Sequence, residues 1–321
     1  VEEKLDLTRR TLIKATATLA AAVPTIAMAT SAALGAEQTP SPTTETATQP
    51  TTLVDVPPGP NTKLSIERRG QVVLLGLNRP AVQNRIDPET FQALARAMYD
   101  YDHDPSLRAA ILFGHGDNFS RGIDVDAYKA TVNNNGNILA GLNHVISPLN
   151  YGPTRRSKPL IAAVHGDTWN MAHELFLSAD IRVAAENTRF GQDENSHGRF
   201  PGGGSTVRFV REAGWGNAMR FMLTGDHWGA EDAYRMGILQ EIAETPQATL
   251  DRAIAIANKI AACGPIGVQT TLASAHLAVD SSDAIAFSQL GTQYSALYRT
   301  KDFIEGMAAQ AEGRPPVFHG H

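Results

Sequence analysis

An α/β fold with largely parallel strand pairing and a helical C-terminal region is predicted by this sequence of 321 residues. Three observations carry that prediction. From Lys63 onward, β-rich apolar runs alternate with stretches of helical spacing, as in parallel sheets covered by helices. Turn and capping residues fall where one element should give way to the next. After Leu250 the strand patterns stop, and the remainder reads as helices.

The elements follow in order. Leu64-Ser65-Ile66 alternates, and Val72-Val73-Leu74-Leu75-Gly76-Leu77 is a β-rich run after the turn residue Gly70. Asp87-Pro88 supplies an N-cap and then the proline favoured at the first helical position. Phe91, Leu94, Ala95 and Met98 recur at helical spacing, so one face of that helix is buried. Ala109 to Phe113 and Leu160 to Val164 are the next buried strands. A helix runs through Leu175-Phe176-Leu177, and the strand Ile181-Arg182-Val183-Ala184 follows it. The closing helices include one with an apolar face around Phe303. No internal repeat of the solenoid kind is present.

Composition narrows the function classes. The chain is 42% apolar and 19% charged, with a net charge of -5 and no long basic run, which argues against nucleic acid as a partner. A single cysteine, Cys263, rules out an internal disulfide framework. Leu7-Thr8-Arg9-Arg10-Thr11-Leu12-Ile13-Lys14, followed by an Ala/Thr stretch to Ala29, resembles a twin-arginine export signal. Small-residue cleavage sites are available at Ala27-Met28-Ala29 and around Ala36. Pro24 and the threonines make this run too short and too polar for a comfortable membrane span. Residues 1–36 are therefore read as a signal for export to the periplasm, with a cytoplasmic location if the signal is not used. Residues 37–60, rich in Thr, Pro, Ser and Gln, read as a disordered linker.

Chemistry is expected where strands end and helices begin. Asn118-Phe119-Ser120-Arg121-Gly122-Ile123-Asp124 forms one such junction, and Gly166-Asp167-Thr168-Trp169-Asn170-Met171-Ala172-His173-Glu174 forms the other. Backbone N–H groups converging from two such turns can hold a negative oxygen that develops during reaction. Glu174 lies in the first turn of a helix otherwise lined by Leu175, Phe176 and Leu177. A dipole-favoured carboxylate is the plain account of it, yet a carboxylate on an apolar face costs free energy unless something uses it. Glu194 alone would be an ordinary surface charge; with Glu174 it can divide acid and base work. His173, Asp193 and His197 are further titratable groups near these turns, more ordinary as supporting or surface residues. His173 stands out because imidazole titrates near neutral pH. Pro201-Gly202-Gly203-Gly204-Ser205-Thr206 lacks the Gly-Lys-Ser/Thr ending of a phosphate loop and reads as a tight turn into a helix. No His/Cys/Asp cluster has metal-ligand spacing.

From Lys63 to Phe318 these junctions come in an order that resembles the crotonase (enoyl-CoA hydratase/isomerase) superfamily. Leu77-Asn78-Arg79-Pro80 with Asn84 is similar to its Asn-Arg-Pro element, and Phe119 to Asp124 to its first oxyanion loop. Lys158 to Gly166 resembles the strand before its second oxyanion turn. Asp180, Phe190-Gly191, Gly198, Pro201-Gly202, Gly204 and Leu223-Thr224-Gly225 match its Asp, Phe-Gly, glycine-rich and Thr-Gly elements. Asp302-Phe303-Ile304-Glu305-Gly306 and Glu312-Gly313-Arg314-Pro315-Pro316 resemble its closing helix.

The resemblance implies a spiral of ββα turns over residues 61–252 and a helical oligomerisation region over 253–321, assembled as a homotrimer or hexamer. By position, Ile123 and Met171 would give the oxyanion-hole N–H groups, Glu174 and Glu194 would be the catalytic pair, and His173, Asp193 and Gly202 are accessory candidates. The implied reaction adds water to an enoyl thioester, with no cofactor except CoA as part of the substrate and no metal. Two departures keep a second substrate class open. Asn170-Met171-Ala172 stands where the family has Gly-Gly-Gly. Ala81, Asp126, Leu272 and Gly313 stand where lysines commonly contact CoA. CoA-independent β-diketone hydrolases of the same superfamily are the alternative, and a non-catalytic crotonase-fold binding protein is a third reading.

Overall fold

The computed structural model describes residues 52–129, 138–152 and 154–321. Strands β1 (Leu64–Arg69) and β2 (Val72–Leu77) form an antiparallel hairpin turned by Gly70, whose φ is 63°. Strands β3 (Ala109–Gly114), β4 (Leu160–Val164), β6 (Ile181–Ala185) and β9 (Glu241–Ala243) add in parallel, giving the order β1-β2-β3-β4-β6-β9. A second, three-stranded sheet contains β5 (Asp167–Trp169), β7 (Arg189–Gly191) and β8 (Trp228–Gly229) in the order β5-β7-β8.

Residue alternation decides which face each side chain meets. Val73, Leu75, Leu77, Ala110, Leu112, Leu160, Ala162 and Val164 enter the larger core. Helix α1 (Pro88–His103) closes that core with Phe91, Leu94, Met98 and Tyr101. It starts as expected: Asp87 Oδ1 accepts from the Thr90 amide at 2.8 Å, with Pro88 at its first position. Val72, Leu74, Ala109, Ile111, Ile161 and Ala163 point to the other face. Both faces are covered, so every residue of β2 is buried and its sequence is a continuous apolar run.

Further along come α2 (Val125–Tyr128), α3 (Met171–Leu177), α4 (Ser205–Ala213), α5 (Trp215–Thr224), α6 (Ala230–Arg235) and α7 (Pro246–Ala261). Helices α8 (Pro265–Asp280), α9 (Asp283–Leu297) and α10 (Lys301–Glu312) end the chain. Two expected boundaries move. Helix α7 crosses position 252 and packs Ala253 and Ala257 on the main sheet, so it belongs to the core and not to a separate C-terminal region. The segment expected as linker up to residue 60 is docked at its end. Leu53 is buried with its amide on Asp104 Oδ2 at 3.2 Å, and Val56 pairs with Ile66. The export-signal reading of residues 1–36 lies outside the described residues.

Candidate active site

The two candidate turns are brought together by short parallel pairing. Phe119, Ser120 and Trp169 donate their amides to His165 O, Asp167 O and Ser120 O at 2.7, 3.0 and 3.1 Å. Past this ladder, Gly122 adopts φ 79° directly against Trp169 and Met171. A Cβ there would lie 2.5 Å from Trp169 O and 3.2 Å from Met171 N, so only glycine permits the approach. Ile123 pairs in parallel with Ile86, which bonds to Gly122 O and to the Asp124 amide, so the Ile123 amide is turned away from that pairing. Met171 opens α3, and the first amides of a helix lack intrahelical acceptors. Asn170 precedes it at φ 53°, ψ −121°, a backbone that β-carbon-bearing residues rarely adopt. Its amide bonds to Gly191 O at 2.8 Å, and its Oδ1 accepts from the Asp193 amide at 3.0 Å. These bonds hold the strained residue in place.

The same register assembles the carboxylates. Trp169 pairs with Gly191 across β5 and β7, so the residues that follow, 170–174 and 192–194, leave the sheet side by side. Glu174 is 3% exposed, and its Oε1 accepts from the Gly203 amide at 2.6 Å and the Ser205 amide at 3.3 Å. Glu194 sits in a short 3-10 turn, Glu194–His197, and is 6% exposed. Gln192 joins the two. Its Nε2 donates to Glu194 Oε1 at 2.9 Å, and its Oε1 accepts from Ser205 Oγ at 2.7 Å, the residue whose amide holds Glu174. Burial, then the nearby Glu194, push the Glu174 carboxyl up to about 8. Burial pushes Glu194 up to about 6. Among the described residues Glu194 Oε2 has no hydrogen-bond partner.

Of the accessory candidates, His173 is fully buried and donates from Nδ1 to Gln192 Oε1 at 2.5 Å. Its ring packs against Phe209 and Trp228, each with centroids 5.1 Å away. Burial pushes its pKa down to about 3, so it stays neutral where the sequence suggested titration near pH 7. Asp193 Oδ2 accepts from His227 Nε2 at 3.2 Å, and this bond lowers its pKa. Gly202 is exposed; the amide that meets Glu174 is that of Gly203, one residue on. His197 is exposed, 3.8 Å from Asp193.

The enoyl-CoA hydratase/isomerase family model matches residues 67–321. The chain belongs to this family. It is 34% identical over 265 residues to the enoyl-CoA hydratase EchA19 of Mycobacterium tuberculosis, covering 79% of this chain and 95% of that protein. The Mycobacterium abscessus protein called a "probable enoyl-CoA hydratase/isomerase" shares 41% identity and superposes with a TM-score of 0.78, covering 81% of this chain and 99% of that one. The crystallised enoyl-CoA hydratase EchA1 of Mycobacterium marinum shares 34% identity with a TM-score of 0.72, covering 81% of this chain and 99% of its own.

As a member of the enoyl-CoA hydratase/isomerase family, the chain carries a crotonase-type α/β fold. Gln192, Gly203 and Ser205 tie its carboxylates together, and sequence reasoning did not single them out. Gln192 is an uncharged loop residue with no periodic signal. Which of three consecutive glycines meets Glu174 depends on the turn they form. Asp126, at one of the positions where lysines were expected, is paired with Lys129 at 2.6 Å, so its charge is matched locally.

Proposed function

We propose that the chain hydrates the double bond of an enoyl-CoA thioester. One observation carries the reading: two buried carboxyls of raised pKa are joined through Gln192 and Ser205, and the helix that carries Glu174 opens at Met171, against the turn at Gly122. The thioester oxygen lies between the amides of Ile123 and Met171. Water, deprotonated by one carboxylate, bonds through its oxygen to the β-carbon. The π pair shifts to an enolate whose oxygen the amides stabilise, and the other carboxyl gives its proton to the α-carbon. H and OH are added overall, and exchange with solvent restores the proton pattern. No cofactor takes part in these steps, and CoA enters only as part of the substrate.

Glu174→Gln and Glu194→Gln are each expected to lower crotonyl-CoA hydration by about 10²- to 10⁴-fold. The readout is loss of the ultraviolet absorbance of the conjugated thioester. A wild-type protein that leaves enoyl-CoA esters of every chain length unchanged sinks the reading.

Two further proposals concern setting. The protein works as a homotrimer or hexamer, a reading supported by exposed Phe287, Tyr294, Ile304 and Met307 on the closing helices. It is exported to the periplasm, on the strength of Arg9-Arg10 and the apolar stretch behind them.

A further inference from the structure

A cavity of about 660 Å³ adjoins the glycine turn that holds Glu174. Gly202 and Gly204 line it, and Gly203 between them donates to Glu174 Oε1. Tyr151, Phe200 and Arg208 form more of the wall, and His276 and Val279 close it from α8. The water-addition steps use none of these side chains.

The charges in this cavity are unequally matched. Arg155 pairs with Asp280, Arg182 with Glu212 at 2.5 Å, and Asp180 with Arg156 at 3.3 Å. Arg208 is half-buried and has no carboxylate partner among the described residues. Its Nη2 donates to Asn150 O at 3.0 Å, while Nη1 is buried and without an acceptor. That atom rests 2.8 Å from where a Cβ on Gly204 would stand, so glycine leaves it room. A guanidinium held in this way loses hydration at Nη1 without a replacing hydrogen bond unless an acceptor arrives there. Arg208 is one helical turn beyond Gly204, within electrostatic reach of Glu174 and Tyr151.

We infer that this cavity receives the far end of the acyl chain and that Arg208 binds a second carboxylate there, making ω-carboxy-2-enoyl thioesters the preferred substrates. The inference rests on the enoyl-thioester reading above. Rotation of the guanidinium toward the cavity gives Nη1 the acceptor it lacks, in a charge-assisted and directional bond. Tyr151 and Phe200 flank the chain, so a methyl-ended acyl group fits but leaves Arg208 unmatched.

The test separates binding from turnover. Isothermal titration calorimetry compares saturated adipyl-CoA with hexanoyl-CoA, which differ only at the far end of the chain. Wild type is expected to bind adipyl-CoA about tenfold or more tightly. Arg208→Gln should erase that preference and leave hexanoyl-CoA affinity within about twofold, while Arg208→Lys keeps part of it. In turnover, trans-2-hexenedioyl-CoA should outperform trans-2-hexenoyl-CoA in kcat/KM, with the loss in Arg208→Gln appearing in KM. Equal wild-type affinity for the two saturated thioesters overturns the inference with no variant needed. Equal weakening of both thioesters by Arg208→Gln also overturns it, because Arg208 would then be serving the CoA phosphates or the fold. Hydration of methyl-ended substrates without a carboxylate preference defeats this inference alone, whereas absence of any hydration defeats the enoyl-thioester reading beneath it.

Discussion

Glu174 and Glu194 show how one side chain acquires its proton affinity from its surroundings. Each is desolvated, and Glu174 also senses the charge of Glu194, so proton affinity rises to about 8 and about 6. Between those values the pair holds one proton, which lets one member donate while the other accepts. Below about pH 6 both are protonated and no base remains. Above about pH 8 both are ionised and no acid remains. The expected kcat/KM profile for enoyl-CoA hydration is therefore a bell with its maximum near neutrality, each limb falling about tenfold per pH unit. A flat profile from pH 5 to 9 would contradict this account of the pair. Glu174 was legible because a carboxylate on an apolar helix face breaks the pattern around it. The burial of Glu194 was not, since Gln192-Asp193-Glu194 reads locally as an ordinary polar loop, and the residues that cover it come from distant segments.

Among the elements, the short strands do the positioning. β5 and β7 have three residues each, too few to show periodicity, yet their register sets Asn170 beside Gln192 and so aligns both carboxylates. The long runs of the main sheet were readable because each is apolar throughout and bounded by turn or capping residues. The turn before α4 makes a very narrow contact with one of these carboxylates. A Cβ on Gly203 would stand 2.1 Å from Glu174 Oε2. Gly203→Ala is thus expected to push the carboxyl out of place and lower kcat by about 10²-fold or more, with the overall fold retained. Circular dichroism and the rate together check this; an active Gly203→Ala protein would show that the Gly203 contact does not position Glu174 for the proposed reaction.

At the level of the whole molecule, the main core is closed on both faces but the terminal helices are not. Phe287, Tyr298, Ile304 and Met307 remain open to solvent while α10 is tied down at its start, where Asp302 accepts from the His319 and Gly320 amides at 2.7 and 2.8 Å. Two helices with an apolar outer face fit a subunit interface better than a free surface. Light scattering is expected to give three or six times the 34.4 kDa chain mass, less any cleaved signal. Cell fractionation should find the full-length protein's mature form in the periplasm. A monomer, or a protein that stays in the cytoplasm with Arg9-Arg10 intact, removes the corresponding proposal.

By itself the sequence determined the α/β class, the order of the long elements and the family, and it singled out Glu174, because these depend on local pattern and on a residue that stands out from its neighbours. Tertiary structure decided which turns meet at Gly122, which glycine holds Glu174, and why Arg208 has no carboxylate within ion-pair distance among the described residues. Those properties come from segments far apart in the chain meeting in a desolvated space, and burial and distance are not encoded in any one stretch of residues.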